Sequence, residues 1–238
     1  MKITRFLWKW GKKVAIWFIA LSIGSTILFI FLPIPITPLM VKRLFDQAFD
    51  EKREMRLSKD WVGFDQLPEN LQLAVVCGED QNFLEHQGFD FDAIEKAIEH
   101  NKNHKKKWGA STISQQTAKN VFLWPTRSWL RKGFEVWFTF LIETFWSKER
   151  IMTVYLNVVE FGDGIYGAEA ASQNYFGKHA RELNADESAL LAAVLPGPLK
   201  FSVKNPSAYT LKSQARIRRQ MRMWGNEIDY DDPNTPKK

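Results

Sequence analysis

The sequence predicts a mostly α-helical protein that begins with a membrane-spanning helix. Residues 14–32 form an apolar run without a charged residue. The following residues repeatedly show helix-start signals before apolar residues at helical spacing, whereas the alternation typical of half-buried strands is scarce. About 200 residues follow the apolar run, enough for one domain with a substantial core.

The apolar run has the length of a transmembrane helix. Its 19 residues would span roughly 28 Å as an α-helix, close to the thickness of the hydrocarbon core of a bilayer. Pro33, Pro35 and Pro38 are expected to end this helix. The basic residues of segment 1–13, which contains no acid, predict a cytoplasmic N-terminus and an exported remainder. A cleaved signal peptide and a buried soluble helix are the alternatives.

Helix signals continue through the exported part in chain order. Pro68 opens a helix that places Glu79 at its end, and Asp90 is positioned to cap the next one. Asn184 and Glu187 form a capping-box pattern before an apolar run. Further helices are predicted at residues 111–120, 129–146, 147–158, 165–176 and 207–224.

The charge of the chain is concentrated at its N-terminus. The formal net charge is +6, from 33 Lys and Arg against 27 Asp and Glu, and five of the cations lie in the first 13 residues. The remainder is therefore nearly neutral, which gives no reason to expect nucleic acid as a partner. Cys77 is the single cysteine, which excludes an intramolecular disulfide, and its apolar surroundings predict a buried position.

One internal segment combines basic and aromatic residues. Between Glu99 and Glu135 there is no acidic residue, but there are eight Lys and Arg. Five tryptophans lie in this segment or just beyond it. Such a mixture is typical of a protein surface at an anionic membrane, so the segment predicts a second membrane contact. The alternatives are a solvated loop beside core aromatics, or binding of single-stranded nucleic acid, which an exported domain would seldom meet.

Two carboxylates in separate polar segments suggest acid/base chemistry. Glu79 begins the polar segment 79–90, and Glu135 follows Arg131 and Lys132. A carboxylate with a raised pKa at an apolar cleft can take the proton of an attacking hydroxyl. Cations beside the second carboxylate would stabilise the negative charge of a phosphate leaving group. Together with the membrane anchor, these residues predict an enzyme that acts on a lipid-linked, phosphate-bearing sugar.

Five ordered segments resemble the motifs of glycosyltransferase family 51, the peptidoglycan glycosyltransferases. They are residues 79–90 (EDQNFLEHQGFD), 109–116 (GASTISQQ), 131–135 (RKGFE), 148–157 (KERIMTVYLN) and 164–178 (GIYGAEAASQNYFGK). The resemblance covers about residues 67–198, and five motifs in the same order make it highly specific.

The resemblance implies a lysozyme-like helical lobe that faces a smaller, membrane-associated jaw lobe. It implies polymerisation of lipid II into β-1,4-linked glycan, with inversion and release of undecaprenyl diphosphate. Glu79 would be the general base, and Glu135 would act at the donor diphosphate directly or through a divalent cation such as Mg²⁺ or Mn²⁺. The further substrate-binding candidates are Asp80, Phe83, His86, Ser111, Thr112, Gln115, Gln116, Lys119, Arg131, Lys132 and Lys148.

Several of these candidates have a local structural role as the alternative. Asp80 could cap a helix, His86 could hold its motif together by hydrogen bonds, and the polar residues of segment 111–116 could cap and rigidify that segment.

The resemblance also implies a layout and a location. The expected parts are a cytoplasmic basic tail at 1–13, an anchor at 14–32, a membrane-proximal linker at 33–60, a glycosyltransferase domain at 61–225 and a flexible tail at 226–238. The expected location is the bacterial inner membrane, with the catalytic domain in the periplasm. Expected partners are lipid II, the growing glycan strand, membrane lipids and other cell-wall synthesis or division proteins.

Other functional classes fit this sequence less well. The Ser-x-x-Lys and Lys-Thr-Gly patterns of penicillin-binding transpeptidases do not occur, so no peptide cross-linking activity is expected. A peptidoglycan hydrolase could use the same scaffold, but it would need neither cations for a diphosphate nor a membrane anchor. A scaffold protein without activity would not need two carboxylates in these motifs.

Overall fold

The computed structural model describes residues 2–51, 54–104, 107–126, 128–225 and 227–230, and for residues 2–7 the backbone alone. The predicted flexible tail lies outside the described residues except for 227–230. Other predicted features outside them are the side chains of Lys2 and Arg5 in the basic tail and Lys105, Lys106 and Arg127 in the basic aromatic segment.

The described residues contain ten α-helices and three short strands. The helices are α1 (Lys2–Phe31), α2 (Pro38–Ala48), α3 (Glu69–Glu79), α4 (Phe91–Asn103), α5 (Ile113–Phe122), α6 (Trp129–Phe145), α7 (Lys148–Val158), α8 (Ala168–Phe176), α9 (Ala185–Val194) and α10 (Ala208–Trp224). The strands are β1 (Ser58–Lys59), β2 (Glu160–Gly162) and β3 (Ile165–Tyr166). They form one sheet in which β3 lies between β1, to which it is parallel, and β2, to which it is antiparallel. The mostly helical class is confirmed, whereas the division into a lysozyme-like lobe and a jaw lobe stays a prediction.

The helix starts agree with the capping signals of the sequence. The Asp90 side chain accepts a hydrogen bond from the Ala93 amide at 2.8 Å, at the start of α4. Asn184 and Glu187 form the predicted capping box of α9. Such caps satisfy amide groups that a helix leaves without internal partners, so they fix where each helix begins.

The structure differs from the sequence prediction in two places. Residues 165–176 do not form one helix, because Gly167 adopts φ 83° before α8 and the preceding residues form β3. A Cβ at Gly167 would lie 2.9 Å from the Asn157 carbonyl oxygen, so only glycine fits this turn. The predicted linker 33–60 contains α2, which Pro38 starts and Thr37 caps.

The core brings together the helices that carry the predicted motifs. α3 packs on α9, and α10 covers both. α5 packs on α6 and α7, and residues 151–158 of α7 are all buried. Cys77 of α3 is buried, as predicted. This packing fixes α5 relative to α6, and hydrogen bonds from Gln116 to Glu79 and from the Ile113 amide to Asp80 join the end of α3 to α5.

α1 is compatible with a membrane anchor. Its segment Trp8–Phe31 has a mean hydropathy of 2.4 and is long and apolar enough to cross a bilayer, a test that a signal sequence also passes. The α1 helix packs on α6. The Trp137 indole donates to the Ser22 hydroxyl at 3.1 Å, and the Trp146 indole donates to the Thr26 carbonyl at 2.8 Å.

Arg150 holds the C-terminal end of α1. Its guanidinium donates to the Phe29 carbonyl at 2.8 and 3.1 Å and to the Leu32 carbonyl at 2.7 Å. It also lies over the rings of Trp61 and Trp146, 5.4 and 6.0 Å from their centres. The last carbonyls of a helix lack internal partners and carry partial negative charge, so a cation at this end is stabilising.

We expect Arg150→Met to destabilise the protein, because it keeps an apolar stem but removes the donors at the end of α1. Hydrogen bonds of a charged group contribute about 1.5–3 kcal/mol, which for a chain of this size corresponds to a loss of roughly 3–12 °C in Tm. Thermal unfolding in detergent micelles measures this effect. Arg219→Met on the exposed side of α10 is the control, and equal Tm values for the two variants would contradict the role of Arg150.

Candidate active site

Two neighbouring cavities contain the predicted carboxylates. The larger cavity has a volume of about 530 Å³ and is lined by residues of α2, α5 and α6, Glu135 among them. The smaller cavity has a volume of about 300 Å³ and is lined by Glu79 at the end of α3. Ser111 lines both. The two carboxylates, 56 residues apart in the chain, therefore face adjoining parts of one site.

Glu79 has the environment of a general base. Its side chain is partly exposed, and the Gln116 amide donates to its Oε2 at 2.8 Å. Burial raises the pKa of Glu79 above its ordinary value, although the Gln116 hydrogen bond and the charge of Lys119 act in the opposite direction. A raised pKa makes this carboxylate a better proton acceptor near neutral pH.

Glu135 organises two cations at the start of α6. Arg131 donates to its Oε2 at 2.7 Å, and Lys132 donates to its Oε1 at 2.5 Å. Only 3% of Glu135 is exposed, whereas 42% of the Lys132 side chain is exposed. The i,i+4 and i,i+3 spacings on one helix make both contacts possible. Glu135 is thus the buried partner of cations that line the larger cavity.

Lys119 is close enough to both carboxylates to interact with their charges. Within the part of the chain that the structure describes, its ammonium group makes no hydrogen bond or ion pair. Burial lowers the pKa of Lys119, while the charges of Glu135 and Glu79 raise it. Because Lys119 lines the larger cavity, its ammonium is available to an anionic ligand.

The charged groups of the larger cavity favour an anion. Among the described residues, its lining contains four cations and two carboxylates, a net formal charge of +2. These groups are Arg43, Lys119, Arg131, Lys132, Glu135 and Glu160. A desolvated group of fixed cations binds negative charge more strongly than the same cations in water.

Comparison with known proteins places the chain in a family. The family model described as Transglycosylase matches residues 46–222. The chain belongs to the transglycosylase family. The resemblance to the peptidoglycan glycosyltransferases inferred from five motifs is therefore confirmed.

Three similar proteins carry the same name. The "Biosynthetic peptidoglycan transglycosylase" of Bdellovibrio bacteriovorus is 53% identical over 209 residues, 88% of this chain and 83% of the relative. The protein of the same name from Bacteroides thetaiotaomicron is 51% identical over 216 residues, which are 90% of this chain and 86% of the relative. The one from Yersinia pseudotuberculosis is 50% identical over 222 residues, which are 93% of this chain and 92% of the relative.

Most of the residues predicted to act in catalysis or substrate binding line one or both of the two cavities, and three do not. The larger cavity is lined by Ser111, Gln115, Gln116, Lys119, Arg131, Lys132 and Glu135. The smaller cavity is lined by Glu79, Asp80, Ser111 and Thr112. Phe83, His86 and Lys148 are absent from the described lining of both cavities.

Asp80 and His86 form a network behind Glu79. His86 Nε2 lies 2.9 and 3.0 Å from the Asp80 oxygens, and the Ile113 amide donates to Asp80 at 2.9 Å. The Gly88 amide donates to His86 Nδ1 at 3.1 Å. Because Nδ1 accepts, the ring proton is assigned to Nε2, which donates to Asp80. Thr112 caps α5 and donates to the Gly88 carbonyl at 2.7 Å. These contacts fix the loop that follows Glu79, which favours the structural alternative for Asp80 and His86.

Lys148 is held in the same support layer. Its ammonium donates to Glu143 at 2.9 Å and to the His86 carbonyl at 2.6 Å. It lies 4.8 Å from the centre of the buried Phe83 ring. Glu143 also accepts a hydrogen bond from Ser114. Glu143 lies outside the five motif segments, so no motif indicated this pair. Substrate binding by Phe83, His86 or Lys148 stays a prediction.

We expect Lys148→Met to lower stability rather than substrate affinity. Breaking a buried ion pair by removing one partner costs about 3–5 kcal/mol, and the value here should lie near the lower limit because 19% of the Lys148 side chain is exposed. The double variant Lys148→Met with Glu143→Leu should regain much of the loss, because no unpaired charge remains. Thermal unfolding and KM should be measured together. A raised KM with unchanged Tm would show instead that Lys148 contacts the substrate.

Proposed function

We propose that this protein is a peptidoglycan glycosyltransferase that polymerises lipid II into β-1,4-linked glycan strands. The observation that carries this proposal is the Glu79 carboxylate, whose pKa is raised, beside a cavity whose described lining has a net formal charge of +2. A diphosphate that links a sugar to a lipid carries two negative charges, which this cavity can neutralise. The names of the relatives support peptidoglycan as the product.

Glu79 would activate the acceptor. The 4-hydroxyl of the incoming lipid II is a weak nucleophile until a base removes its proton during attack on the donor anomeric carbon. The Gln116 amide, 2.8 Å from Glu79 Oε2, leaves the second carboxylate oxygen for this proton. The rigid network of Asp80 and His86 keeps the carboxylate in place, which is what a general base requires.

The larger cavity would hold the donor diphosphate. Undecaprenyl diphosphate is a good leaving group, so its departure needs positive charge more than a general acid. Lys119 is free to contact a phosphate oxygen, and Arg131 and Lys132 have further N–H groups beyond those that Glu135 binds. Attack from the side of Glu79, opposite the leaving group, inverts the α-linked donor to a β-linked product.

The expected divalent cation fits the residues only in part. Both Glu135 oxygens accept hydrogen bonds from cations, so a metal would have to displace one of them. The described residues contain no group of three or more His, Cys, Asp or Glu that could hold a metal. Mg²⁺ or Mn²⁺ at Glu135 would therefore take most ligands from the substrate phosphates and water. The polymerisation rate with a chelator, and again after Mg²⁺ is added back, tests whether such a cation is needed.

The proposed enzyme works at the outer face of the bacterial inner membrane. Apolar α1 supports a single-pass anchor, and the basic residues before it support a cytoplasmic N-terminus with the catalytic domain in the periplasm. Trp108, Trp124 and Trp129 are exposed, which supports a second contact of this part with membrane lipids, whereas Trp137 and Trp146 bind α1. Contacts with other cell-wall synthesis or division proteins stay a prediction.

Polymerisation of purified lipid II in detergent tests the proposed function. We expect long strands that lysozyme digests, because lysozyme cleaves the β-1,4 bonds of the glycan. Release of fragments from preformed glycan, without polymer from lipid II, would replace the proposal with a hydrolase. Inactivity on both substrates would favour a scaffold function.

A further inference from the structure

Helix α2 contributes a wall of the larger cavity. Its residues Leu39 and Arg43 line this cavity together with Lys119, Arg131 and Glu135. Both α2 residues precede the first of the five sequence motifs, and they precede residue 46, where the family match begins. The basic side chain of Arg43 therefore reaches the candidate active site from a part of the chain to which the motifs assign nothing.

Glu160 fixes the orientation of Arg43. Arg43 Nε lies 3.1 and 3.2 Å from the two Glu160 oxygens, and Arg43 Nη2 donates to Oε2 at 3.1 Å. Glu160 also accepts a hydrogen bond from the Tyr166 hydroxyl at 3.4 Å. A forked contact of this kind restricts the guanidinium plane much more than a single contact would.

The pair presents its cation to the cavity. The Arg43 side chain is 20% exposed, but the Glu160 side chain is only 4% exposed. The Nη1 group of Arg43 makes no hydrogen bond in the described part of the chain, since its contact with Asp46 is 3.7 Å long. Arg43 thus keeps N–H donors for a ligand while Glu160 holds the other edge of the guanidinium.

We propose that Arg43 is a further substrate-binding residue that contacts the diphosphate of the lipid-linked substrate, with Glu160 as its positioning residue. This inference rests on the proposed function. It adds Arg43, from α2, to the three cations Lys119, Arg131 and Lys132 as a fourth contact for the diphosphate. A diphosphate offers more unesterified oxygens than one cation can bind, and the planar guanidinium fork suits two phosphate oxygens.

The position of α2 along the chain supports the same ligand. Residues 32–37 link the end of α1 directly to α2, so Arg43 lies within one short helix of the point where the anchor ends. The diphosphate of a lipid carrier lies at the level of the lipid headgroups, because its charges remain in water while its chain stays in hydrocarbon. A cation that follows the anchor is therefore near the expected depth of this group.

Four variants test the role of Arg43. They are Arg43→Gln, Arg43→Lys, the double variant Arg43→Gln with Glu160→Gln, and Arg219→Gln as a control for loss of an exposed arginine. The double variant leaves two neutral amides that can still hydrogen-bond, so no buried carboxylate is left unpaired. For each variant we would measure Tm, KM and kcat for lipid II in detergent, and inhibition by farnesyl diphosphate as a soluble probe of diphosphate binding.

We expect Arg43→Gln and the double variant to raise KM and the farnesyl diphosphate inhibition constant by about tenfold, the effect of one good charged contact. Arg43→Lys should recover part of this loss, and Arg219→Gln should match the parent. If the double variant folds and binds farnesyl diphosphate within twofold of the parent, the inference is wrong. A fall in Tm and kcat with unchanged KM would also overturn it, because the pair would then be structural.

The two proposals can fail separately. A parent protein that polymerises lipid II without any dependence on Arg43 contradicts this inference alone. A parent that makes no polymer contradicts the proposed function, and in that case Arg43-dependent binding of farnesyl diphosphate would still support the diphosphate contact.

Discussion

We expect Glu79→Gln to lower kcat for lipid II polymerisation by about 10²–10⁴-fold, the usual contribution of a general base. The glutamine keeps the size of the side chain and can still bind the Gln116 amide through its own carbonyl oxygen, but it cannot take a proton. Polymer formed per unit time in detergent measures the effect. Glu95→Gln, which replaces an exposed glutamate on α4, is the matched control and should match the parent.

The raised pKa of Glu79 also predicts how the polymerisation rate of the parent protein depends on pH. The rate of the parent should fall on the acidic side as Glu79 becomes protonated, with a midpoint above the ordinary glutamate value of 4.5. A folded-state pKa above the unfolded value means that Glu79 favours folding at low pH and that this contribution is lost as pH rises through the folded pKa.

Glu79→Gln should therefore have a Tm at neutral pH at least equal to that of the parent. Thermal unfolding of both proteins from acidic to neutral pH checks the sign, and the difference should favour the variant more as pH increases. Retained polymerisation by Glu79→Gln would show that another group takes the proton. A large loss of Tm would show that the carboxylate is mainly structural.

The second large effect is expected for Glu135→Gln. The amide oxygen of the introduced glutamine could accept a hydrogen bond from one of the two cations, Arg131 or Lys132. The amide nitrogen, itself a donor, would then face the other cation, so the side chain would no longer hold both cations in place. Loss of preorganised charge at a developing anion costs about 10²–10³-fold in kcat. Where the amide nitrogen faces Arg131, that mostly buried guanidinium loses its partner, and stability should fall by about 1–3 kcal/mol.

Steady-state kinetics and thermal unfolding separate these two effects. Glu95→Gln again serves as the control, and Arg131→Lys reports how much of the effect depends on the guanidinium, since it keeps the charge but loses the fork. Full activity of Glu135→Gln would exclude a role of this carboxylate in organising the diphosphate site. Loss of stability without loss of kcat at a temperature where the variant is folded would make the cluster structural.

Helix positions were predictable because their signals are local. Asn184 with Glu187 and Asp90 cap helices whose starts the structure confirms. Capping involves residues two or three positions apart, and apolar periodicity covers a few turns, so both are visible in any short window of sequence. The exception at Gly167 depends on a close approach to Asn157, which no local pattern shows.

The site was predictable only in part. The motifs identified Glu79 and Glu135, but they did not show that Glu135 is buried beneath its cations while Glu79 accepts from Gln116. Lys148 was predicted at the substrate, yet the structure gives it contacts with Glu143 and the His86 carbonyl. A lysine has the same charge in a binding site and in a buried pair, so only its neighbours distinguish the two.

The sequence by itself determined the helical class, the apolar anchor and the residue types of the catalytic motifs, because each depends on neighbouring residues. Tertiary structure alone decided that α2 lines the larger cavity and that Arg43 pairs with Glu160, 117 positions away. It also decided that Lys119 lines this cavity within reach of the charges of Glu79 and Glu135, and that its ammonium makes no ion pair with the described residues. Such contacts form between distant residues when helices pack. Their free energies depend on burial and on the distance between the charges, and neither can be read from the spacing of residues along the chain.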